Sequence, residues 1–158
     1  GNVRYWENLP GGTLVERTGA GNNPFYGISV DYPSPVVVDW DGDGDLDLII
    51  GNPSGSVLYW ERVANGALEQ RTGSGVNPFH DVKAGNVLTR PFVVDWDGDG
   101  DLDLLVGNYG GWVQYWERAG GALVERVGIG SNPFSAVKVA HNAIPIAKDW
   151  DGDGDLDL

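Results

Sequence analysis

Asp39-Trp-Asp-Gly-Asp-Gly-Asp-Leu-Asp-Leu48 is the stretch that decides the fold, and the same ten residues recur as Asp95–Leu104 and Asp149–Leu158. Each copy places five aspartates at alternate positions around two glycines. Carboxylates this close repel one another, so the stretch is stable only where a hard cation neutralises it, and ligands that are all oxygen favour calcium. The sequence therefore predicts one metal loop, repeated three times.

The spacing D-x-D-x-D-G-x-x-D assigns a role to each position of the loop. Positions one, three and five supply monodentate carboxylates, glycine at six permits a sharp turn, position seven offers its backbone carbonyl, and position nine can be bidentate. The carboxylates at position seven are expected to remain as outer charge. The predicted ligands are Asp39, Asp41, Asp43, Asp45 and Asp47; Asp95, Asp97, Asp99, Asp101 and Asp103; and Asp149, Asp151, Asp153, Asp155 and Asp157.

This pattern predicts about three Ca²⁺ ions per chain, with a structural role. An EF-hand is excluded because its position twelve needs glutamate, whereas Ile50 stands there and no helix flanks the loop. Magnesium is the weaker candidate, since it prefers a strict octahedron that retains water. The remaining alternative is a set of solvated acidic turns without metal.

Composition narrows the function classes. The 158 residues are 41% hydrophobic with seven tryptophans, enough for a core. Fifteen of the 23 acidic residues lie in the three loops, so the formal charge of −13 becomes +2 without them, and nothing indicates nucleic-acid binding. The sequence has no cysteine and no apolar run of membrane length. It also lacks methionine, so we expect Gly1 to follow processing, excision or engineering.

Repetition extends beyond the loops, at spacings of 54 to 56 residues. Each unit contains Y-W-E, a G-x-L-x-x-R element, N-P-F and a proline before the aspartates. Four short strands follow from this pattern, with hydrophobicity that falls from the first to the last. We expect the first, Pro35–Asp39, to be covered on both faces. The predicted class is therefore all-β, with β-propeller blades of four antiparallel strands.

The repeats are placed at approximately residues 1–54, 55–110 and 111–158 of a single propeller segment. Alignment of Y-W-E puts Gly1 level with Gly55 and Gly111, before the third strand of a blade, whereas Leu158 lies inside a second strand. We expect these ends to complete one blade between two chains. Because propellers have four to eight blades, the prediction is a homodimer that forms a ring of six. The alternatives are a fragment of a longer array and an assembly of more chains.

The loop between a proline-led apolar strand and D-L-[IV]-[IV]-G resembles the FG-GAP and VCBS repeats of integrin-α-like propellers, and the resemblance covers all three units. It implies a calcium-binding propeller. Y-W-E together with D-W-D-G-D-G-D-L-D-L-L-V-G-N is also similar to fungal and bacterial lectins built on this blade, such as the Psathyrella velutina type. That similarity implies sugar binding between adjacent blades, although those rings have seven blades, a number that three-blade chains do not make.

Few other residues are candidates for a ligand. Trp112 replaces a small polar residue in a turn beside Tyr109, where an aromatic ring can stack on a sugar. The asparagines of N-P-F are turn formers first and ligand donors second. They are Asn23, Asn77 and Asn132. His80 and His141 lie in the unequal loops His80–Arg90 and Ser135–Ile144 and are expected to be solvated.

The sequence thus favours a binding module with a glycan as the leading partner. The alternatives are a structural or designed self-assembling scaffold without a ligand and a protein-adhesion propeller. No serine–histidine–acid set or acid pair outside the loops supports an enzyme. Calcium availability favours an extracellular or secreted location.

Overall fold

The computed structural model describes residues 1–85 and 88–158, and its regular elements are all β-strands. Asn86 and Val87, within the loop His80–Arg90, lie outside the described residues. The strands are β1 (Tyr5–Leu9), β2 (Thr13–Arg17), β3 (Ser34–Val38), β4 (Asp47–Gly51), β5 (Val57–Arg62), β6 (Leu68–Arg71), β7 (Arg90–Val94), β8 (Asp103–Gly107), β9 (Val113–Ala119) and β10 (Ala122–Arg126). The all-β class is confirmed. Among these described residues we find no helix of the length and apolarity that crossing a membrane requires.

The strands form two complete antiparallel sheets and one half-sheet. Strands β3-β4-β5-β6 make the first sheet and β7-β8-β9-β10 the second, each in sequence order. Strands β1 and β2 pair only with each other in the described chain. Lys148 and Asp157 bridge antiparallel across the third aspartate loop, at the base of a further hairpin. The four-stranded antiparallel unit predicted from the repeats is therefore confirmed.

Each sheet packs against its neighbours through a separate apolar cluster. One cluster lies between the two complete sheets and includes Ile49, Phe79 and Leu104. A second, with Leu48 and Ile50, joins the first sheet to the half-sheet. A third cluster covers the far face of the second sheet. Successive residues of β4 thus point into different clusters, because side chains alternate across a strand.

Burial is greatest on the second strand of each sheet, not on the first as expected. All five residues of β4 and all five of β8 are buried. In contrast, β3 alternates between half-buried and exposed, and Val37 remains 45% exposed. The reason is position: β3 is the edge strand of its sheet and lies beside β7, whereas β4 has a strand on each side and a cluster on each face.

Glycines allow the close approach of one sheet to the next. A Cβ atom on Gly51, at the end of β4, would overlap the backbone carbonyl of Thr89, which leads into β7. The equivalent Gly107 lies in the same way against the carbonyl of Ala143. The G of the recurring D-L-[IV]-[IV]-G therefore serves packing between sheets.

Ion pairs join the third and fourth strand of every unit. The glutamate of Y-W-E receives hydrogen bonds from the arginine on the strand opposite, as in Glu61–Arg71 at 2.9 Å and Glu117–Arg126 at 2.7 Å. Glu7–Arg17 makes the same pair in the half-sheet. The pairs explain why Y-W-E and the G-x-L-x-x-R element recur together.

Candidate metal centres

Each aspartate loop connects the first and second strand of a sheet and is shaped by its own hydrogen bonds. In the first loop, the two carboxylate oxygens of Asp39 accept the backbone N–H groups of Gly42 at 2.9 Å and Gly44 at 3.0 Å. Gly44 at position six has a φ of +94°, and Gly42 at position four also has a positive φ, of +79°. The sharp turn predicted at position six is present, and a second one precedes it.

The loop turns carboxylates toward one another. Three side chains in each loop offer oxygen atoms that all lie within 4.8 Å of one another. The groups are Asp39, Asp41 and Asp43; Asp95, Asp97 and Asp99; and Asp149, Asp151 and Asp157. The position-seven residues Asp45, Asp101 and Asp155 instead donate their backbone N–H to the carboxylate at position five.

The chemistry of this donor set fits a hard divalent cation. The ligand atoms are all carboxylate oxygens, the donors that calcium prefers. Burial raises the pKa of Asp41, a backbone hydrogen bond from Asp43 opposes that effect, and the charges of Asp47 and Asp43 raise it further. The protein alone therefore leaves negative charge in the loop poorly compensated, and a bound cation would remove that penalty.

The aspartate at position nine links the loop to the rest of the sheet. Asp47 is 1% exposed and accepts the N–H of Trp40 at 3.2 Å, the hydroxyl of Tyr59 at 2.8 Å and the N–H of Arg62 at 2.8 Å. Asp103 is 0% exposed and has the equivalent three donors, from Trp96, Tyr115 and Arg118. Hydrogen bonds across the sheet thus hold both carboxylates.

These contacts use most of the hydrogen-bonding capacity of position nine. A carboxylate has about four lone-pair sites, and three are occupied at Asp47 and at Asp103. One site remains free of these donors, and bidentate coordination at position nine stays a prediction. Burial raises the pKa of Tyr59 and of Tyr115, and the neighbouring carboxylate adds to the shift, so both hydroxyls stay protonated donors.

Sequence reasoning missed these tyrosines as part of the loop. The available signal was the fixed pairing of Y-W-E with the aspartate stretch in every unit, since residues that always recur together are candidates for contact. The two backbone N–H donors, from Arg62 and Arg118, could not be predicted, because nearly every residue type has a backbone N–H.

The third loop has the same internal turn but different surroundings. The carboxylate of Asp149 accepts N–H groups from Gly152 at 2.7 Å and Gly154 at 3.1 Å, as in the other loops. Asp157 accepts the N–H of Trp150 at 3.0 Å. Unlike Asp47 and Asp103, Asp157 is exposed, and within residues 1–85 and 88–158 it has neither a tyrosine donor nor a donor from a third strand.

A cavity of about 320 Å³ lies between the two complete sheets. The indole rings of Trp40 and Trp116 line it, together with the polar side chains of His80, Asp81 and Arg118. The guanidinium of Arg118 lies 4.9 Å from the Trp40 ring and donates to the Trp40 carbonyl at 3.0 Å. The indole Nε1 of Trp116 is buried and has no hydrogen-bond partner in the part of the chain that is described.

The predicted aromatic candidates lie in a separate place, on loops of the third repeat. Trp112 is 43% exposed and its ring carries the Lys138 ammonium at 4.4 Å. Tyr109 is 45% exposed and stacks on His141, with ring centroids 5.6 Å apart. His141 is exposed, as predicted, and its ring also contacts an aromatic ring.

The predicted asparagines have structural contacts. The side-chain oxygens of Asn23, Asn77 and Asn132 each accept the N–H of the phenylalanine two residues later, at 2.8 to 2.9 Å. The amide nitrogen of Asn77 also donates to the Val57 carbonyl. Their first role is therefore to form the turn, and a role in ligand binding stays a prediction.

Comparison with known proteins gives one family. The model described as the FG-GAP-like repeat matches residues 39–106 and 95–158, two overlapping segments that each run from one aspartate loop to the next. A search of curated proteins and a search of solved structures gave no match to the chain.

Proposed function

The chain belongs to the FG-GAP-like repeat family, and from this premise we propose that it is a calcium-stabilised β-propeller module that binds carbohydrate. The calcium part rests on the three carboxylate clusters, and the carbohydrate part rests on the cavity between the sheets. Each part has its own test.

In the calcium proposal, the ion is held by the carboxylates at positions one, three, five and nine and by the carbonyl at position seven. Its charge would neutralise the loop and fix the hairpin between the first and second strand. Asp103 and Tyr115 would orient the loop, because the tyrosine hydroxyl donates to the carboxylate at 3.0 Å.

Titration calorimetry with Ca²⁺ and Mg²⁺ tests this proposal. We expect calcium to bind with at least about tenfold higher affinity than magnesium, because the crowded carboxylates suit a larger and less strictly octahedral ion. Asp41→Asn, in the first loop, is expected to remove one site and leave the others. Absence of calcium binding by the folded protein would mean that the loops are solvated acidic turns.

The carbohydrate proposal is supported by the composition of the cavity between the sheets. Sugar-binding sites need an aromatic surface for the C–H face of the ring and polar groups for the hydroxyls. The cavity combines two indoles with an imidazole, a carboxylate and a guanidinium, and its volume of about 320 Å³ is in the range of small-molecule sites.

The second repeat differs from the third at this cavity, which provides a matched control. His80 and Asp81 follow N-P-F in the second repeat, whereas Ser135 and Ala136 stand at the equivalent positions of the third. We expect a glycan array, run in calcium, to show a bound sugar that His80→Ala with Asp81→Ala weakens and Ser135→Ala does not.

A loop site at Tyr109 and Trp112 is a second candidate, because both rings are nearly half exposed and His141 and Lys138 hold them in place. Trp112→Ala would then weaken the same array signal. If the folded protein with calcium binds no sugar at all, the carbohydrate proposal fails and the scaffold or adhesion alternative takes its place.

Two further predictions, on activity and on location, belong to this proposal. We propose binding rather than catalysis, because the sequence gives no catalytic motif outside the aspartate loops. We propose an extracellular or secreted location because calcium sites of this kind suit a compartment rich in calcium.

A further inference from the structure

The hairpin around the third aspartate loop carries apolar groups without cover. Trp150 is 87% exposed, whereas the equivalent Trp40 is 4% exposed and packs on Phe79 with ring centroids 4.5 Å apart. Leu158 is 46% exposed, whereas Leu48 and Leu104 at the same position are 0% exposed. These groups line an open hollow of about 460 Å³. The repeat therefore places core residues on a surface here.

The half-sheet β1–β2 lacks the first two strands of a complete sheet, whereas the hairpin lacks the last two. Trp6 is 44% exposed, although the equivalent Trp60 and Trp116 are 8% exposed. Phe25 packs edge-on against Tyr5, with centroids 6.1 Å apart, as Phe79 does against Tyr59. Phe79 in addition contacts a loop tryptophan, and Phe25 has no such contact in the described chain. Each group that the hairpin lacks is present on this half-sheet.

We propose that a second copy of this chain seats its β1–β2 half-sheet on the 148–157 hairpin and thereby completes both a four-stranded sheet and the third metal site. We call the contact between the β1–β2 half-sheet of one copy and the 148–157 hairpin of the other the joint. The joint is inferred from the geometry of the repeats, and only its metal site rests on the proposed calcium function. The complete sheets supply the template for every contact across the joint.

The register of the joint is that of the complete sheets. Leu48 lies opposite Trp60 and Leu104 opposite Trp116, so Leu158 lies opposite Trp6 of the second copy. Two poorly covered side chains, 46% and 44% exposed, then cover each other. By the same alignment, Trp150 packs on Phe25 of the second copy.

The joint also completes the hydrogen bonds of position nine. Tyr115 donates its hydroxyl and Arg118 its N–H to Asp103, and their equivalents in the half-sheet are Tyr5 and Asn8. Tyr5 and Asn8 of the second copy therefore donate to Asp157. This carboxylate then becomes buried and held, so the third site and the assembly form together.

The position of an arginine supports the joint separately from the strand register and the hydrogen bonds of position nine. Arg118 lies over the loop tryptophan of the preceding sheet, and Arg62 holds the equivalent position in the first sheet. Arg62 of the second copy therefore covers Trp150. If each copy both gives and receives a half-sheet, two chains contain six sheets, which is within the range of closed propellers.

Engineered cysteines test the register, because the natural sequence contains no cysteine. A Trp6→Cys chain and a Leu158→Cys chain are purified separately, mixed in calcium and oxidised. We expect a covalent pair of chains, since directly opposed strand residues lie within disulfide reach. The matched control pairs Leu158→Cys with Leu14→Cys, a 64% exposed residue of β2. No cross-link, or equal cross-linking of the control, overturns the proposal.

The doubly substituted chain separates a second copy from closure within one chain. With both cysteines on one chain, a disulfide at the mass of one chain would show that the chain closes on itself, which overturns the proposal. Light scattering of the unsubstituted protein in calcium is expected to give a two-chain particle. Trp150→Ala is expected to weaken that particle at least about tenfold, whereas Trp112→Ala, also at an exposed tryptophan, leaves it unchanged.

Calcium counting distinguishes failure of the joint from failure of the calcium function. We expect three ions per chain in the assembly and two per chain in the Trp150→Ala monomer. Cross-linking at Trp6 and Leu158 without any bound calcium would keep the joint and reject the calcium function. Three ions bound to a stable monomer would reject the joint and keep the calcium function.

Discussion

Asp103 and Asp157 occupy the same position of the same ten-residue sequence, yet one is 0% exposed and the other lies on the surface. Both accept the N–H of the loop tryptophan, at 3.1 and 3.0 Å. Only Asp103 has a tyrosine hydroxyl and a second N–H, which the third strand of its sheet supplies. The aspartate loop thus folds by itself, whereas its attachment to a core depends on a neighbour.

The comparison separates two sources of order in this repeat. Within the loop, the hydrogen bonds from glycine N–H groups to the first aspartate are present in all three copies, at 2.7 to 3.1 Å. Between the loop and the sheet, the contacts exist only where strand three is in place. The turn is therefore a property of the sequence, and the burial is a property of the packing.

Removal of metal gives the largest expected effect, and it tests whether the loops need more than their own hydrogen bonds. A site held at about a hundredfold above its Kd contributes about 2.7 kcal/mol, so the two anchored loops together give a fall in Tm on the order of 10–20 °C in chelator. Calorimetry with and without chelator measures it, with magnesium as the control. An unchanged Tm would contradict a metal role.

Asparagine substitutions at position nine compare the buried and the exposed carboxylate directly. Asp103→Asn is expected to cost about 3 kcal/mol, because an amide cannot accept hydrogen bonds on its nitrogen and the three donors stay buried. Asp157→Asn is expected to cost less than about 1 kcal/mol in the single chain. Urea unfolding in calcium, at a concentration where light scattering shows one chain, measures both. Equal costs would mean that third-strand anchoring contributes little.

Removal of one hydroxyl isolates the contribution of the tyrosine. Tyr115→Phe is expected to destabilise the chain by about 1.5–3 kcal/mol, the range for a hydrogen bond to a charged acceptor. Tyr5→Phe, the matched control in the half-sheet, is expected to be near neutral in the dilute single chain. The same urea experiment reports both variants. A large effect of Tyr5→Phe under these conditions would indicate a partner within its own chain.

Acid titration gives the smallest effect and concerns the ion pair beside the loop. The hydrogen bond from Arg71 lowers the pKa of Glu61 below its ordinary value of 4.5, so the pair stabilises the fold above about pH 4.5 and loses that contribution as the pH falls through the folded pKa. Glu61→Gln is expected to cost about 0.2–1 kcal/mol at pH 7 and nothing at pH 2. Thermal unfolding at several pH values measures the difference, and a cost independent of pH would point to packing instead of charge.

Much of the fold was predictable because the same residue types recur at equivalent positions of the three repeats. The four strands predicted for each unit are present in both complete sheets, and the loop position follows from its aspartates. Which strand of a sheet is the most buried was harder to predict from the sequence. Both Val36–Val38 and Leu48–Ile50 are apolar runs, and only the sheet order shows that the second run has strands on both sides.

The ligands of the candidate site were predictable from the sequence, but the hydrogen-bond donors that hold those ligands in place were not. Asp39, Asp41 and Asp43 converge as their spacing indicates. The hydrogen bonds to position nine were not accessible, since their donors are the hydroxyl of Tyr59 and the N–H of Arg62, which are 12 and 15 residues away in the chain. Contacts across strands require a register, and the register of a strand is fixed by its neighbours.

Gly51 and Gly107 bear on the curvature of the whole array. Each allows the carbonyl of the next sheet to lie directly against the second strand, and a methyl group there would act as a wedge. The angle between neighbouring sheets decides how many fit around a common axis, so a wedge repeated at both positions would change that number. The absence of a side chain at two places therefore contributes to the angle at which neighbouring sheets meet.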